Sequence, residues 1–345
     1  MSTVTDPLDI KLLGLLQTEV PLVERPFATL ADHVGASEKD VLEHVQNLKT
    51  AKVIRQISAI FDTRSLGYAS SLVAAQIDPS RVDEAAAIIN QHPGVSHNYL
   101  RNHSFNLWYT IAISPLSKLG LDKTVELLHR QSQALSTRLL PTLKLFKIGV
   151  KFDVGGDSRP DDLDAPTYTE KSRTTDTALT PMQVEFVRIL QRDLPITPRP
   201  FVEYAKELGM TLPALQVMHR QFLDSGKMRR FAAVLHHRSA GFSANAMGVW
   251  AVPGKDDEID RVGALMAGFR AVSHCYRRPS YPDWPYNIFT MVHGKSQEAC
   301  EQTLATIAER AAIREHSALY STKEYKKVRV RYFTPDEAVW ERQQA

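Results

Sequence analysis

The sequence predicts an α+β fold that is built from two tandem copies of one two-domain unit. The motif VSHNYLR at residues 95–101, followed by an asparagine at 106, returns as VSHCYRR at residues 272–278, followed by an asparagine at 287. A second motif, VERPF at residues 23–27, returns as TPRPF at residues 197–201. The repeat of roughly 175 residues is too long for a solenoid unit and fits a whole set of domains.

The first part of each copy predicts a winged helix-turn-helix. Apolar residues recur there at three- and four-residue spacing, which indicates short amphipathic helices. Ser37 precedes the third helix and Asp40 follows three residues later, which is typical of a helix N-cap. The strand-like segment VIRQISAIFD (residues 53–62) then supplies a wing. The helices are predicted at residues 9–17, 27–33, 38–49, 180–191, 201–208 and 212–225, in winged domains that span residues 6–66 and 179–240.

The second part of each copy predicts a ferredoxin-like domain, because its pattern follows the order β-α-β-β-α-β. These domains span residues 67–154 and 241–335, and two of them in one chain suggest an internal pseudo-dimer. A linker rich in Asp, Gly, Pro, Ser and Thr is predicted at residues 155–178. The elements are predicted at residues 70–77, 80–91, 95–101, 105–113, 116–135 and 144–154, and at residues 246–252, 256–267, 271–277, 286–293, 296–312 and 328–333.

The composition is that of an ordinary soluble protein, with 43% hydrophobic and 23% charged residues and a net charge of +3. Cys275 and Cys300 lie far apart without a CxxC motif, so the sequence predicts neither a zinc site nor a disulfide framework, and no metal ligands are proposed. No apolar run approaches the roughly 20 residues that a spanning helix needs, and the N-terminus lacks a signal segment. The cytoplasm is the expected location.

A winged helix-turn-helix followed by a ferredoxin-like domain resembles the Lrp/AsnC family of transcription regulators. In such a regulator, the third helix of copy one would enter the major groove and carry basic or amide side chains. Here that helix carries Glu38, Asp40 and Glu43, which would face phosphate unfavourably. We therefore expect no binding to nucleic acid, although a ligand-sensing regulator stays open as an alternative.

The repeated strand motifs resemble the sirohaem decarboxylase family, whose members share the Lrp/AsnC architecture. The motifs that carry the resemblance are HNYLR with FNLWYT in copy one, HCYRRP with WPYN in copy two, and STKEYKKVR at residues 321–329. The resemblance covers almost the whole chain apart from the linker. It implies a natural fusion of the two subunits that form the heterodimeric enzyme, as found in the biosynthesis of d-type haem.

This resemblance implies a reaction in which two acetate side chains of sirohaem lose carbon dioxide and become methyl groups, giving didecarboxysirohaem. The iron tetrapyrrole is then the substrate, and no added cofactor is expected. A non-catalytic tetrapyrrole carrier is a second alternative. Further association, as a homo-oligomer or with accessory homologous subunits, stays open.

Decarboxylation leaves a carbanion equivalent that needs an electron sink and a proton. The macrocycle is a suitable sink, and histidine is a suitable acid near neutral pH. Since His97 and His274 occupy matching points of the repeat, we expect them to be the catalytic proton donors. Arginine pairs carboxylates with two hydrogen bonds, and aromatic side chains suit a flat macrocycle. The expected substrate-binding residues are Arg25, Arg55, Tyr99, Arg101, His103, Asn106, Trp108, Arg199, Arg229, Tyr276, Arg277, Arg278, Trp284, Tyr286 and Asn287.

Some of these residues allow more than one interpretation. His103 could be a proton donor, an iron ligand or a loop residue, and Asn106 and Asn287 could simply tie a strand end. The copies also differ, because the proline-rich insert PSYPDWPY at residues 279–286 has no counterpart of equal length in copy one. Prolines favour an extended loop. The insert is therefore predicted to be a rigid lid or wall that makes the His274 site the more complete of the two.

Overall fold

The computed structural model describes residues 6–148, 177–235 and 244–344. Most of the predicted linker and the ends of the domains predicted to close at residues 154 and 240 lie outside these ranges. The described residues form eleven α-helices. The helices are α1 (Pro7–Thr18), α2 (Pro26–Val34), α3 (Glu38–Thr50), α4 (Val82–Asn90), α5 (Gly120–Ser132), α6 (Pro181–Leu190), α7 (Pro200–Glu207), α8 (Leu212–Asp224), α9 (Asp256–Ala267), α10 (Gln297–Ala311) and α11 (Asp336–Gln343).

Eleven strands accompany these helices in the described residues. The strands are β1 (Ile54–Phe61), β2 (Ala69–Gln76), β3 (Val95–Arg101), β4 (Leu107–Ile113), β5 (Ser136–Leu140), β6 (Lys144–Ile148), β7 (Met228–Leu235), β8 (Ala244–Trp250), β9 (Val272–Arg277), β10 (Ile288–Gly294) and β11 (His316–Lys327). The predicted helix-turn-helix helices and the duplicated domain order are confirmed. None of the helices in the described ranges is long and apolar enough to cross a membrane.

The two helix-turn-helix domains are joined through their wing strands. β1 of copy one pairs antiparallel with β7 of copy two, so each domain completes its ribbon with a strand of the other. Fully buried side chains from both copies, Leu12, Phe27, Phe186 and Phe231 among them, form one continuous core around this ribbon. The capping box predicted at Ser37 and Asp40 is present at the start of α3. These domains therefore form a single unit.

The ferredoxin-like domains share one nine-stranded sheet with the order β5-β2-β4-β3-β11-β8-β10-β9-β6. Two buried apolar cores, one in each copy, fill the space between this sheet and its helices. A third buried cluster joins residues of β2, β4 and β5 in copy one to residues of β8, β10 and β11 in copy two. The opposite face of the sheet is therefore the place where the two copies meet.

The last strand of copy two belongs to both copies. Residues 316–320 of β11 pair with β8 in copy two, whereas residues 321–327 pair with β3 in copy one. The prediction of a strand at residues 328–333 is wrong, because the strand lies further upstream and has ended at Lys327. Residues 328–333 (VRVRYF) alternate like a strand. The residues that pair in this region are instead those of β11, which crosses from copy two to copy one.

Copy one makes the same crossing with two shorter strands. β5 pairs with β2 of its own copy, and β6 pairs with β9 of copy two. The strand predicted at residues 144–154 is confirmed in its start, because β6 begins at Lys144, and its last residues lie outside the described ranges. β5 was not predicted as a separate strand. Pro141 follows β5 and cannot donate a backbone hydrogen bond, which explains why the strand is interrupted here.

Candidate functional site

His97, Tyr99 and Arg101 lie at alternate positions of β3. Alternate residues of a strand point to the same face of its sheet, and these three face the region between the copies. A bulge at Ser96 separates the pairing of Val95 with Ile111 from the pairing of His97 with Thr110. We call His97, Tyr99 and Arg101 the copy-one cluster.

The His97 ring is held from one side by hydroxyl groups. Its Nδ1 lies 3.0 Å from the Ser96 Oγ and 3.4 Å from the Thr110 Oγ1. Burial lowers the pKa of His97, and the positive charges of Lys327 and Arg55 lower it further, whereas Glu324 opposes them. The imidazole ring of His97 is therefore expected to be neutral until a negatively charged group binds nearby.

The carboxylate of Glu324 comes from copy two. In the pairing of β11 with β3, Glu324 lies opposite Tyr99 and Lys327 lies opposite His97. Burial raises the pKa of the Tyr99 hydroxyl, and the carboxylate of Glu324 raises it further. The copy-one cluster is therefore completed by charged residues of the other copy.

His274, Tyr276 and Arg278 form the matching copy-two cluster, which begins on β9. The His274 Nδ1 lies 2.8 Å from the Ser273 Oγ, and this hydroxyl also lies 2.6 Å from the His293 Nε2. Burial lowers the pKa of His274, and the neighbouring His293 lowers it further.

The strand beside the copy-two cluster is apolar where β11 is charged. Leu145 of β6 lies opposite Tyr276, in the place that Glu324 takes beside Tyr99. Ile148 lies opposite His274, in the place that Lys327 takes beside His97. The two histidines therefore have similar hydroxyl partners but different electrostatic surroundings.

Arg101 and Arg278 connect the copies in the same way. Arg101 donates a hydrogen bond to the carbonyl of Leu319 in copy two, at 3.1 Å, and Arg278 donates one to the carbonyl of Leu140 in copy one. Burial lowers the pKa of both guanidinium groups to about 10. The Nε of each is sealed from solvent without a hydrogen-bond partner in the described residues. Both cations therefore keep unused donors.

The other predicted arginines have varied surroundings. Arg25 pairs with Glu38 at the start of α2, and Arg199 lies 3.3 Å from Glu24. Both side chains are at least half exposed.

Arg277 pairs with Asp256 and with Asp260, at 3.1 Å from the latter. Arg229 lies 2.7 Å from Asp62. Arg55 is close enough to influence the pKa of His97. Of the five arginines Arg25, Arg199, Arg277, Arg229 and Arg55, Arg55 thus influences the pKa of His97 in the copy-one cluster, and Arg229 influences the pKa of Tyr276 in the copy-two cluster.

The two predicted asparagines bind backbone in the described structure. The Asn106 side chain accepts a hydrogen bond from the Ile77 N–H at 2.9 Å and donates one to the Ile77 carbonyl at 2.8 Å. Asn287 makes the same pair of bonds with Val252, at 3.0 and 2.8 Å. These bonds match the alternative in which each asparagine ties a strand end.

The proline-rich insert of copy two packs against copy one. Trp284 is fully buried and packs against copy one, with its ring centroid 5.1 Å from that of Trp108 and 5.4 Å from that of Phe105. Tyr286 and His103 lie at the edge of the same group. Trp284 therefore forms an apolar wall in the junction of the copies, and the expectation that the insert makes the His274 site the more complete one stays a prediction.

A cavity of about 270 Å³ joins elements of both copies. Ser96 and Thr110, which contact His97, line it together with Tyr276 and Arg278 of the copy-two cluster. Arg64 also lines this cavity but was missed as a site residue. The signal was present, because Arg64 begins the motif RSLGY, which returns as RSAGF at residues 238–242.

A larger cavity of about 700 Å³ lies elsewhere, between α6 and residues 329–335. Neither histidine lines it. Two of its arginines already have carboxylate partners, since Arg188 pairs with Glu185 and Arg192 with Glu207. The smaller cavity is the better candidate for chemistry because Tyr276 and Arg278 of the copy-two cluster line it, together with the two hydroxyl groups that contact His97.

Replacing Glu324 with glutamine is expected to shift the pH dependence of the reaction. Removing the carboxylate lowers the pKa of His97 further, so the protonated acid is lost at a lower pH. The descending limb of kcat/KM against pH should move to lower pH. The matched control is Leu145→Gln at the corresponding position of copy two. An equal loss of rate at every pH would show that Glu324 acts only on structure.

Two models of known domain families each match both copies of the repeat. The "Siroheme decarboxylase NirDL-like HTH domain" matches residues 9–55 and 185–229, and the "AsnC-like ligand binding domain" matches residues 65–147 and 239–326. A "Siroheme decarboxylase beta subunit" from Methanosarcina barkeri is 45% identical over 148 residues, which are 43% of this chain and 96% of the subunit. The chain is thus similar to a half-length subunit as well as to full-length relatives.

Two comparisons extend over nearly the full length. A crystal structure of the siroheme decarboxylase NirDL in complex with an iron-uroporphyrin III analogue is 34% identical with a TM-score of 0.77, and the match covers 97% of this chain and 98% of that one. A "Siroheme decarboxylase" from Hydrogenobacter thermophilus is 40% identical over 331 residues, 96% of each chain. The chain therefore belongs to the siroheme decarboxylase family, in its fused single-chain form, and is an enzyme.

Proposed function

We propose that this enzyme removes carbon dioxide from two acetate side chains of sirohaem and so forms didecarboxysirohaem. The observation that carries the proposal is the duplicated cluster, in which a histidine, a tyrosine and a buried arginine with unused donors face the junction of the copies. The relative from Hydrogenobacter thermophilus and the complex with an iron-uroporphyrin III analogue support the same substrate class. In this proposal the iron tetrapyrrole is the substrate, and no further cofactor takes part.

The arginines would bind the substrate through its carboxylates. A guanidinium group and a carboxylate form charge-assisted hydrogen bonds that are about twice as strong as neutral ones. Arg101 and Arg278 are suited to this role because each keeps a shielded, unpaired Nε. Arg55 is the third candidate because of its place beside His97. The proposal leaves out Arg25, Arg199 and Arg277, whose carboxylate partners lie within the protein.

The reaction has two steps at each acetate. The bond between the methylene carbon and the carboxylate carbon breaks, carbon dioxide leaves, and the electron pair spreads into the macrocycle. A histidinium then donates its proton to the methylene carbon, which gives a methyl group and neutral histidine. His97 and His274 are the proposed acids, one for each copy.

The low pKa of each histidine in the free enzyme fits this sequence of events. Burial keeps both rings largely neutral, so a proton has to be gained when substrate binds. Sirohaem brings eight carboxylates, and a nearby negative charge raises the pKa of an imidazole. Substrate binding would therefore charge the acid before decarboxylation begins.

The proposal is tested by mixing the enzyme with sirohaem under anaerobic conditions and measuring the mass of the extracted tetrapyrrole. The expected product has lost two molecules of carbon dioxide. Bound sirohaem of unchanged mass would instead indicate a carrier and would overturn the proposal.

A further inference from the structure

The small cavity between the copies is lined by polar side chains from both copies. Copy one contributes Arg64, Ser71, Ser96 and Thr110, and copy two contributes Tyr276 and Arg278. Its volume of about 270 Å³ is slightly below the roughly 300–1,000 Å³ of ordinary ligand pockets. Such a space suits one side chain of a large ligand better than a whole macrocycle.

Two guanidinium groups face this cavity without a neutralising carboxylate. Arg64 and Arg278 are close enough that the charge of Arg64 helps to lower the pKa of Arg278. Within the described ranges, no carboxylate pairs with either of them, and Arg64 donates to the carbonyl of Thr142 at 3.3 Å. The shielded Nε of Arg278 is unpaired as well. Arg64 is exposed and the Nε of Arg278 is shielded, so an anion in the cavity would pair with one solvated and one shielded guanidinium group.

The carboxylate of Asp62, two residues before Arg64, already has hydrogen-bond partners. Asp62 accepts from Arg229 at 2.7 Å and from the backbone N–H and the hydroxyl of Ser65, both at 3.0 Å. These bonds and the positive charge of Arg229 keep the pKa of Asp62 low despite its burial. Asp62 therefore pairs with Arg229, and no ion pair links it to Arg64 or Arg278 in the described residues.

Two residues of the cavity lining contact His97. The hydroxyls of Ser96 and Thr110 line the cavity and also contact the Nδ1 of His97. A carboxylate arm between the arginines would thus lie beside the proposed proton donor. Copy two has Met291 opposite His274, where copy one has Thr110 opposite His97, so this hydroxyl is not repeated there.

We propose that this cavity is a carboxylate pocket for one acetate side chain of the tetrapyrrole, bound by Arg64 and Arg278 across the junction of the copies. The pocket combines two hydroxyl groups of one copy, which contact His97, with an arginine and a tyrosine of the other. It rests on the proposed function for the identity of the ligand, and it adds Arg64 to the residues that select the substrate.

The test compares two inert probes. Iron-uroporphyrin III carries four acetates and four propionates, whereas iron-coproporphyrin III has methyl groups in place of the acetates. Arg64→Gln is expected to weaken the binding of iron-uroporphyrin III by about ten- to a hundredfold, the range for a lost hydrogen bond to a charged group. Its affinity for iron-coproporphyrin III should stay within about twofold of the unsubstituted protein, since that probe cannot fill the pocket.

Titrations at high ionic strength screen the difference in total charge between the probes. Arg64→Lys should recover part of the loss, because it keeps the charge but not the planar fork. Arg130→Gln is the matched control, since Arg130 is exposed and pairs only weakly with Glu126 at 3.6 Å. Neither probe should respond to it.

Equal weakening for both probes, or no weakening for either, would overturn the acetate pocket. Because neither probe has to react, the result does not depend on turnover. If the probes behave as expected but sirohaem keeps its mass, the proposed reaction fails and the carboxylate pocket stands.

Discussion

Replacing His97 with alanine is expected to slow decarboxylation by about 10²–10⁴-fold, the usual contribution of a general acid. The alanine cannot return a proton to the methylene carbon, whereas the arginines that bind carboxylates are untouched. The rate should be measured in a single turnover, as carbon dioxide released from bound sirohaem. Binding of sirohaem should change much less than the rate.

The same loss is expected for His274→Ala, and the double variant should lose both decarboxylations. His33→Ala is the control, because His33 is exposed on α2 and its Nδ1 contacts only the carbonyl of Thr29, at 2.7 Å. If the double variant binds sirohaem and releases carbon dioxide at the original rate, the assignment of both proton donors is wrong.

Replacing Trp284 with alanine should lower the free energy of unfolding by about 3–5 kcal/mol, as for other buried tryptophans. The ring is fully buried and packs edge-on against Trp108 and Phe105 in the junction of the copies. Its loss leaves a cavity that a rigid sheet cannot fill. Equilibrium unfolding in urea measures the change.

Tyr286→Ala is the matched control, because Tyr286 lies in the same insert and contacts Trp284, with ring centroids 4.9 Å apart, but is only partly buried. Its loss should be clearly smaller. A change below about 1 kcal/mol for Trp284→Ala would mean that the insert does not hold the copies together.

Much of the fold could be predicted from the sequence because local patterns determine it. Helix spacing, the cap at Ser37 and the repeated motifs locate the domains. The crossing of β11 could not be predicted in this way, because its two parts alternate alike and differ only in the strand they pair with. Strand pairing between distant segments leaves little trace in a single sequence.

The site residues, like the fold, could be predicted only in part. Matching positions in the repeat indicated His97 and His274, whose role as proton donors stays a prediction. Repetition alone could not separate Asn106 from these histidines, because a structural residue and a catalytic residue are repeated in the same way. The Asn106 side chain binds the backbone of Ile77. Glu324 was not predicted to be a site residue because it reaches the copy-one cluster from the other copy.

The crossing of β11 also sets the order in which the two copies can complete their sheet during synthesis. During synthesis the β3 edge of copy one stays open until residues 321–327 of copy two emerge. An open edge invites pairing with other chains, and domains made early normally fold first. Carrying both copies on one chain keeps the completing strand at high effective concentration. Half-length subunits with this topology would have to find that strand on a separate molecule.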